Sequence, residues 1–230
     1  NIQCFSILTV GLLFLILVWQ SAFAMSNLSI ADGATINLDS ARLNLACGNM
    51  QVIGNLNAGT GEISQIGTIE IFGGATFSAS SANLRLSGNW DNGGTFVAGN
   101  SKVFIEDGCN TGTTTTYVDA GNSPFNDLII ATTLGRTILL VAQSTIKVTG
   151  QLTLSGIEGS ALFVRSTQDG LAALLDLAKN AVGTFLDIAD VQVNGAIVLL
   201  DNNSLLGSNV SGFINTAAVI SIILMSSGDD

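Results

Sequence analysis

The feature that most constrains this chain is the repetition of very short apolar alternations separated by glycine and asparagine turns. In each alternation two apolar residues flank one outward residue. The segments are Leu43-Asn44-Leu45, Ile69-Glu70-Ile71, Leu84-Arg85-Leu86, Val103-Phe104-Ile105, Ile146-Lys147-Val148, Leu152-Thr153-Leu154 and Val191-Gln192-Val193. Turn signals such as Asp32-Gly33 and Asn194-Gly195 recur at intervals of roughly 6–12 residues. Short strands with sharp corners predict the coils of a solenoid, because sandwiches and closed barrels use longer strands.

A solenoid explains why the chain is both apolar and rich in glycine. Hydrophobic residues make up 47% of the sequence and charged residues 10%, with 26 Gly and a single Pro. One coil cannot bury its apolar side alone, so coils stack about 4.8 Å apart around a continuous core. We therefore predict an all-β fold, a right-handed parallel β-helix of about eight to ten coils, each of roughly 20–25 residues.

The start of the chain is typical of a secretory signal peptide. An apolar run at residues 7–18 is followed by Ala22-Phe23-Ala24, a small-x-small cleavage site. The run is shorter than the roughly 20 residues that span a bilayer as a helix. We expect a helical signal peptide at 1–24, a β-helix domain at 25–230, secretion to the extracellular space or cell surface, and no membrane span after cleavage. Because residues 1–6 carry no basic residue, we expect the natural start to lie before Asn1.

The charge balance excludes several partners. Seven Lys and Arg against 17 Asp and Glu give a net charge of -10, and the cations are scattered along the chain. Binding to phosphates requires clustered cations, so we expect neither nucleic acid nor anionic membrane surfaces as partners.

Motifs in the second half of the chain resemble a known family. They lie at residues 84–96 (LRLSGNWDNGGTF), 101–105 (SKVFI), 125–130 (FNDLII), 148–154 (VTGQLTL), 162–167 (LFVRST), 186–191 (LDIADV) and 201–204 (DNNS). This order resembles that of bacterial secreted β-helix surface proteins, including adhesin-like and autotransporter-passenger-like repeats. Asp127 stands where the family usually has Asn, and Phe213 where it often has Trp. The resemblance implies a structural or adhesive surface module without a shared catalytic set.

The residue types argue against common catalytic sites. The chain has no His, which excludes Ser-His-Asp and Cys-His catalysis. A polysaccharide lyase or hydrolase remains the enzymatic alternative, and it would need converging carboxylates. The candidates are Glu106 with Asp107, Asp187 with Asp190, and Asp119. If Asp187 and Asp190 lie on one strand, their separation of three puts them on opposite faces. Glu106 and Asp107 diverge likewise unless a turn intervenes, and Asp107-Gly108 is expected to be that turn. We therefore predict no catalytic residues.

A loop predicted at 107–122 contains the candidate recognition residues. It includes Thr113, Thr115 and Tyr117, and loops bind partners more often than the scaffold does. Host-cell, matrix or polysaccharide surfaces are the expected partners. A regular array of Thr would instead indicate an ice-binding or surface-binding solenoid.

Other segments left a choice between two interpretations. Residues 171–179 (LAALLDLAK) could be a helix, but their context favours strands. Residues 217–230 are expected to form a terminal strand or tail, with an apolar run at 217–225.

We predict no cofactor, no metal centre and at most weak Ca²⁺ binding at Asp201-Asn202-Asn203. We expect Trp90 and Phe96 to pack inward.

The cysteines raise the question of a disulfide. Cys4 lies in the predicted leader, and Cys47 and Cys109 are next to Gly at corners. An oxidising compartment would allow a bridge between the last two. However, three coils separate them, about 14 Å along the axis, whereas a bridge needs Cα atoms about 4.4–6.8 Å apart. We therefore expect both thiols to stay unpaired.

Overall fold

The computed structural model describes residues 23–24, 27–109, 115–201 and 203–216. It is an all-β solenoid of about 8 turns, as the sequence predicts. The first thirteen strands are β1 Phe23–Ala24, β2 Leu28–Ile30, β3 Thr35–Asn37, β4 Arg42–Asn44, β5 Met50–Val52, β6 Asn55–Asn57, β7 Glu62–Ile66, β8 Ile69–Ile71, β9 Thr76–Ser78, β10 Asn83–Leu86, β11 Trp90–Asn92, β12 Thr95–Val97 and β13 Lys102–Ile105. After a 3-10 helix at Asp107–Cys109 come β14 Thr115–Asp119, β15 Asp127–Ala131, β16 Arg136–Leu140, β17 Thr145–Val148, β18 Leu152–Ser155, β19 Leu162–Ser166, β20 Ala173–Leu177, β21 Ala181–Thr184, β22 Leu186–Ile188, β23 Val191–Gly195, β24 Val198–Leu200, β25 Leu205–Leu206 and β26 Phe213–Asn215.

The strands form parallel sheets along the sides of the solenoid. The first sheet has the order β1-β4-β7-β10-β13-β15-β18-β21-β24-β26, and the second β2-β5-β8-β11-β14-β16-β19-β22-β25. A third side carries β12-β9-β6-β3 in the first half of the chain and β17-β20-β23 in the second half. Within a sheet each strand pairs with the strands one coil before and one coil after it, except at the sheet ends, which include β12 and β17 in the middle of the chain.

The coils are regular in the first half and irregular in the second. In the first sheet Leu43 pairs with Ile63, 20 positions later, and Leu84 with Val103, 19 positions later. Farther along, Thr153 pairs with Val182, 29 positions later. Most strands keep the alternation of buried and exposed residues through these changes, so most extra residues lie in the corners. Strand β7 is an exception, because Leu84 pairs with Ile63 and Leu86 with Ile66, which leaves one extra residue in β7.

The core is a continuous column of aliphatic side chains with an aromatic cluster at its middle. Phe77, Trp90, Phe96 and Phe125 are buried, and Trp90 lies with its ring centroid 4.8 Å from Phe96 and 5.0 Å from Phe125. Edge-on contacts of this kind add to the free energy gained by burial. The prediction that Trp90 and Phe96 pack inward is confirmed.

Two further predictions have different outcomes. Residues 173–177 form strand β20, so the strand interpretation of 171–179 is confirmed. The prediction that 107–122 projects as a loop is wrong for its centre, because Thr115–Asp119 is strand β14, hydrogen-bonded between β11 and β16. The alternation of Thr116 and Val118 inward with Tyr117 outward lets this stretch continue the second sheet.

Several predicted segments lie partly or wholly outside the described residues. These are the signal peptide except for 23–24, residues 110–114 with Thr113, and the tail at 217–230. Phe23–Ala24, at the predicted cleavage site, forms strand β1 beside β4.

The expectation of unpaired thiols is wrong, because Cys47 and Cys109 form a disulfide with their Cα atoms 5.3 Å apart. A spacing of about 14 Å between the two cysteines holds only if each corner stays within its own coil. Instead, Cys47 has positive φ and its N–H donates to Gln65 O of the next coil, while the N–H of Cys109 donates to Ser87 Oγ of the coil before it. The intervening corner is short, and a Cβ on its Gly67 would lie only 2.8 Å from Cys47 O. The two cysteines therefore meet over compact corners.

The disulfide is expected to stabilise the first half of the solenoid. It closes a loop with a sequence separation of 62, and its loss should lower the free energy of unfolding by about 2–4 kcal/mol. Thermal unfolding of the double variant Cys47→Ala/Cys109→Ala, followed by circular dichroism, should show a lower midpoint than oxidised wild type. Reductant should lower the wild-type midpoint and leave the variant unchanged. Equal midpoints for wild type and variant under oxidising conditions would contradict this role.

Candidate functional site: the outer face of the second sheet

The predicted recognition residues Thr115 and Tyr117 lie on the outer face of the second sheet, beside other exposed apolar and polar side chains. Six outward residues of β14, β16 and β19 form two neighbouring rows, which we call the Tyr117 face: Thr115, Tyr117, Thr137, Leu139, Phe163 and Arg165. They stand in register: Thr115 pairs with Thr137 and Thr137 with Phe163, while Tyr117 pairs with Leu139 and Leu139 with Arg165. Two parallel rows of side chains therefore follow the long axis of the solenoid.

Strand alternation explains why these side chains point to solvent. Thr116 and Val118 of β14 and Ile138 and Leu140 of β16 are buried, so the residues between them face outward. Tyr117 is 49% exposed and Phe163 is 36% exposed. These rings lie on central strands, whose backbone groups are held on both sides, so the face is rigid.

Arg165 supports Phe163 and crosslinks two coils. Its guanidinium lies 5.5 Å from the centroid of the Phe163 ring, and its Nη2 lies 2.6 Å from Asp187 Oδ1 of the next coil. A second nitrogen donates to the carbonyls of Val164 and Asp187. The charge of Arg165 is therefore balanced within the protein.

A groove opens beside the Tyr117 face, at the corner between the first and second sheets. This corner groove, lined by Leu134, Thr137, Ile157, Ser160, Phe163 and Phe185 among others, has a volume of about 520 Å³. Leu134 is 58% exposed and Ile157 is 44% exposed, although both are aliphatic. Ile157 and Ser160 pair in a small antiparallel turn that forms one wall. Thr137 and Phe163 belong to both the groove and the face, so the two surfaces are continuous.

A buried arginine forms part of the groove lining. The Arg136 side chain is 3% exposed, and its Nη2 lies 3.2 Å from Asp107 Oδ1. Its nitrogens also donate to Ser87 O, Thr116 Oγ1 and Glu106 O. This set of acceptors compensates a charge that would be costly to bury alone. Arg136 thus fixes the corner and offers little to a ligand.

The carboxylate of Asp107 is held in its charged form by the same corner. Partial burial acts to raise its pKa, but hydrogen bonds from the Thr133 N–H and the Thr132 hydroxyl, the charge of Arg136 and the Leu134 N–H outweigh that effect. The pKa of Asp107 is therefore lowered from its ordinary value. Because the folded state favours the carboxylate, the stability it contributes is present at neutral pH and is lost only in acid, as pH falls through the lowered pKa.

Three carboxylates stack on the same sheet, toward the N-terminal end from Tyr117. Glu70, Asp91 and Asp119 occupy equivalent outward positions on β8, β11 and β14, in register from coil to coil. We call them the carboxylate ladder. Desolvation against the sheet raises the pKa of Asp91, and the negative charges of Asp119 and Glu70 raise it further. Gln51 Nε2, one coil earlier, donates to Glu70 Oε2.

The ladder contrasts with the charges elsewhere on the solenoid. Each described ion pair joins a cation to a carboxylate of a neighbouring coil, as with Lys102 and Asp127 at 3.7 Å or Lys147 and Asp176 at 3.5 Å. Among the described ion pairs none involves a member of the ladder. Like charges in register are destabilising, so the ladder lowers the stability of the fold.

Some of the residues predicted from the sequence as recognition or carboxylate candidates lie on different parts of the second sheet. Thr115 and Tyr117 lie on the Tyr117 face, and Asp119 ends the carboxylate ladder. Thr115 and Thr137 are in register, but Phe163 follows them, so the described part of this row does not continue as a Thr array.

The other predicted carboxylate pairs do not converge. Glu106 Oε2 lies 3.0 Å from Arg85 Nη1, whereas Asp107 binds Arg136. Asp187 lies on the outer face, whereas Asp190 is buried in the following corner with its Oδ1 accepting from Asn209.

At the corner predicted to bind Ca²⁺, the carboxylate of Asp201 accepts hydrogen bonds from groups of the protein itself. Asp201 Oδ1 accepts from the Ser204 hydroxyl at 2.7 Å and from the Phe185 N–H at 3.2 Å, and Oδ2 accepts from Asn203 Nδ2 at 3.4 Å. Weak Ca²⁺ binding there stays a prediction. Over the described ranges no three His, Cys, Asp or Glu residues are grouped as metal ligands would be. In the same part of the chain no helix is long and apolar enough to cross a bilayer.

Sequence reasoning missed Glu70, Asp91, Phe163 and the corner groove. Glu70 and Asp91 could have been found by aligning coils, since Ile69-Glu70-Ile71 and Trp90-Asp91-Asn92 place a carboxylate at the same point of successive strands. The groove gives no such signal, because its walls come from corners of irregular length.

No protein-family model matches this chain, and neither the curated proteins nor the solved structures contain a significant match to it.

The carboxylate ladder gives a pH-dependent prediction for Asp91→Asn. Because the folded pKa of Asp91 is raised, the folded state binds the proton more tightly, and its contribution to stability falls as pH rises from about 3.8 through that raised pKa. The variant should therefore have a higher unfolding midpoint than wild type at pH 7 and no such advantage at pH 3. High salt should shrink the gain at pH 7 by screening the repulsion.

The matched control is Asp169→Asn, which removes an exposed carboxylate from a turn outside the ladder. It should change the midpoint little at either pH. A lower midpoint for Asp91→Asn at pH 7 would show that the stacked charges do not destabilise the fold.

Proposed function

We propose that this protein is an exported, non-catalytic structural or adhesive module that binds a polysaccharide or matrix surface through the Tyr117 face. The observation that carries the proposal is the exposure of the Tyr117 and Phe163 rings on central strands of the second sheet, in neighbouring rows, with half-buried Leu139 in register with Tyr117. Apolar side chains grouped on a rigid surface and flanked by polar ones are typical of binding sites.

The solenoid geometry suits an extended partner. Side chains on the face repeat at the spacing of the coils, about 4.8 Å, along the axis. A polymer lying along this axis could contact several coils at once, and each contact would add to the others. The fold thus offers a long binding surface without a deep pocket.

Export is supported by two independent features. Residues 1–24 have the apolar run and small-x-small site of a secretory leader. The Cys47–Cys109 disulfide is of the kind that forms and persists in oxidising compartments. Both favour a secreted or cell-surface location.

Charge supports the exclusion of nucleic acid and of anionic membranes as partners. The net charge is -10, and of the seven Lys and Arg only Lys179 takes no part in the described ion pairs. A phosphate-rich partner would therefore be repelled and would find few free cations.

The carboxylate ladder favours a second candidate, a polysaccharide-cleaving enzyme. Glycoside hydrolases use two carboxyl groups, one of them with a raised pKa that acts as the general acid. Asp91 has a raised pKa between two neighbouring carboxylates, which fits one part of this requirement. We rank this candidate second because the exposed rings lie on other coils than Glu70 and Asp91.

The export proposal predicts the start of the mature protein. When the chain is expressed behind an initiator Met in a secreting bacterial host, N-terminal sequencing of the exported protein should begin at Met25. Replacing Ala22 and Ala24 with bulky residues should block cleavage there. A protein that stays in the cytoplasm with residues 1–24 attached would contradict export.

The binding proposal predicts that the purified protein is retained by at least one insoluble polysaccharide or matrix preparation. Tyr117→Ala should lower its affinity by about threefold to tenfold through loss of ring contact, whereas Tyr117→Phe should retain most of it. Ile214→Ala, which alters an exposed side chain of the first sheet, is the control and should bind as wild type.

The same incubations distinguish the two candidates. Release of reducing ends by wild type, abolished in Asp91→Asn, would replace the adhesive proposal with the enzymatic one. Retention without release supports adhesion, and absence of retention on a broad panel of surfaces overturns it.

A further inference from the structure

We propose that the corner groove is a binding subsite for a neutral sugar chain, selective against acidic polysaccharides and peptides. The inference rests on the proposed binding function and adds to it the place and the chemical class of the ligand. The groove volume of about 520 Å³ lies within the range of about 300–1,000 Å³ that is common for small-ligand sites.

The lining of the groove matches the two kinds of surface on a sugar ring. Leu134, Ile157 and Phe163 expose apolar surface that can cover the C–H groups of a pyranose face. The face of an aromatic ring carries partial negative charge and attracts such groups. Thr137 and Ser160 add hydroxyls that, within the described part of the chain, make no side-chain hydrogen bond and can exchange one with a sugar hydroxyl.

The groove favours a neutral ligand, because its described lining residues offer no unpaired charge. Arg136 is the one charged residue of the lining, and its guanidinium is already bound to Asp107 and three further oxygen acceptors. The next cation on the face, Arg165, is paired with Asp187. A uronic acid or sulfated sugar would therefore find no free cation, and the net charge of -10 would repel it.

The strands beside the groove argue against a peptide. Extended peptides commonly bind by adding a strand to an open sheet edge. Here β16 is paired with β14 and β19, and β19 is paired with β16 and β22. Neither strand offers a free edge, so recognition has to come from side chains alone.

A second aromatic residue, Phe185, lines the groove at a corner with an unusual backbone conformation. Phe185 has a φ of 51°, a left-handed conformation that is unfavourable for a bulky residue. It is held there because its N–H donates to Asp201 Oδ1 and its carbonyl accepts from the Leu162 N–H. This anchored turn places Phe185 in the groove lining together with Phe163.

Affinity electrophoresis with soluble polysaccharides tests the subsite. Wild type should be retarded by at least one neutral glucan, mannan or galactan, and not by polygalacturonate or alginate. Phe163→Ala and Ile157→Ser should each weaken that retardation by about threefold to tenfold. Thr137→Val keeps the side-chain shape and removes the hydroxyl, and it should weaken binding as well.

The matched control is Val182→Ser, which alters a side chain of similar exposure, 48%, on the outer face of the first sheet. Circular dichroism and the unfolding midpoint identify any variant that has lost its fold, and Ile157→Ser on the exposed turn keeps the test open if Phe163→Ala unfolds.

The outcomes separate this inference from the proposed function. Ile157→Ser decides between the two surfaces, because Ile157 lines the groove and lies outside the Tyr117 face. If wild type binds a neutral polysaccharide and Tyr117→Ala weakens binding while Ile157→Ser does not, the groove subsite is overturned and the adhesive function stands. Preference for an acidic polysaccharide, or binding of aromatic-rich peptides in place of sugars, also overturns the subsite. Absence of binding to every polysaccharide and matrix surface overturns both.

Discussion

The structure depends on the in-register pairing of each strand with its equivalents one coil away. Pairing in parallel satisfies the backbone of one coil with the backbone of the next, and it places like side chains above one another. On the inner side this stacking produces a continuous aliphatic column, interrupted at its middle by the ring cluster around Trp90. On the outer side the same pairing places the outward side chains of successive coils in rows, whatever their chemistry. Ion pairs, the carboxylate ladder and the Tyr117 face are three results of one geometric constraint.

That constraint also explains how much of the fold could be predicted from the sequence. Inward positions have to be apolar in every coil, so Leu84 and Leu86, or Val103 and Ile105, reveal strands by alternation alone. The sequence of a corner is less constrained, since a corner only has to lead the chain from one sheet to the next. The predicted loop at 107–122 was therefore wrong at Thr115–Asp119, where four consecutive Thr residues concealed the alternation of β14.

The disulfide and the groove could not be predicted for the same physical reason. Both depend on how far a corner departs from its own coil, which short sequence patterns do not encode. Cys47 has positive φ and Cys109 ends a 3-10 turn, so both cysteines lie in corners rather than on the regular path of the strands. The groove is lined by the Ile157 turn and by the corner that holds Leu134. Thr115 and Tyr117 are predicted from the sequence as residues of a projecting loop, whereas they lie on strand β14, and their role in recognition stays a prediction.

The crosslink between Cys47 and Cys109 has a mechanical consequence. A solenoid pulled from its two ends can unravel coil by coil, since each coil is held only by its neighbours. The covalent bridge prevents the segment between the two cysteines, which are 62 positions apart, from being pulled out. Fully extended, that segment would be about 200 Å long. Under tension along the axis, the coils outside the bridge, before Cys47 and beyond Cys109, would therefore lengthen before those it encloses, and the coils beyond Cys109 include the corner groove.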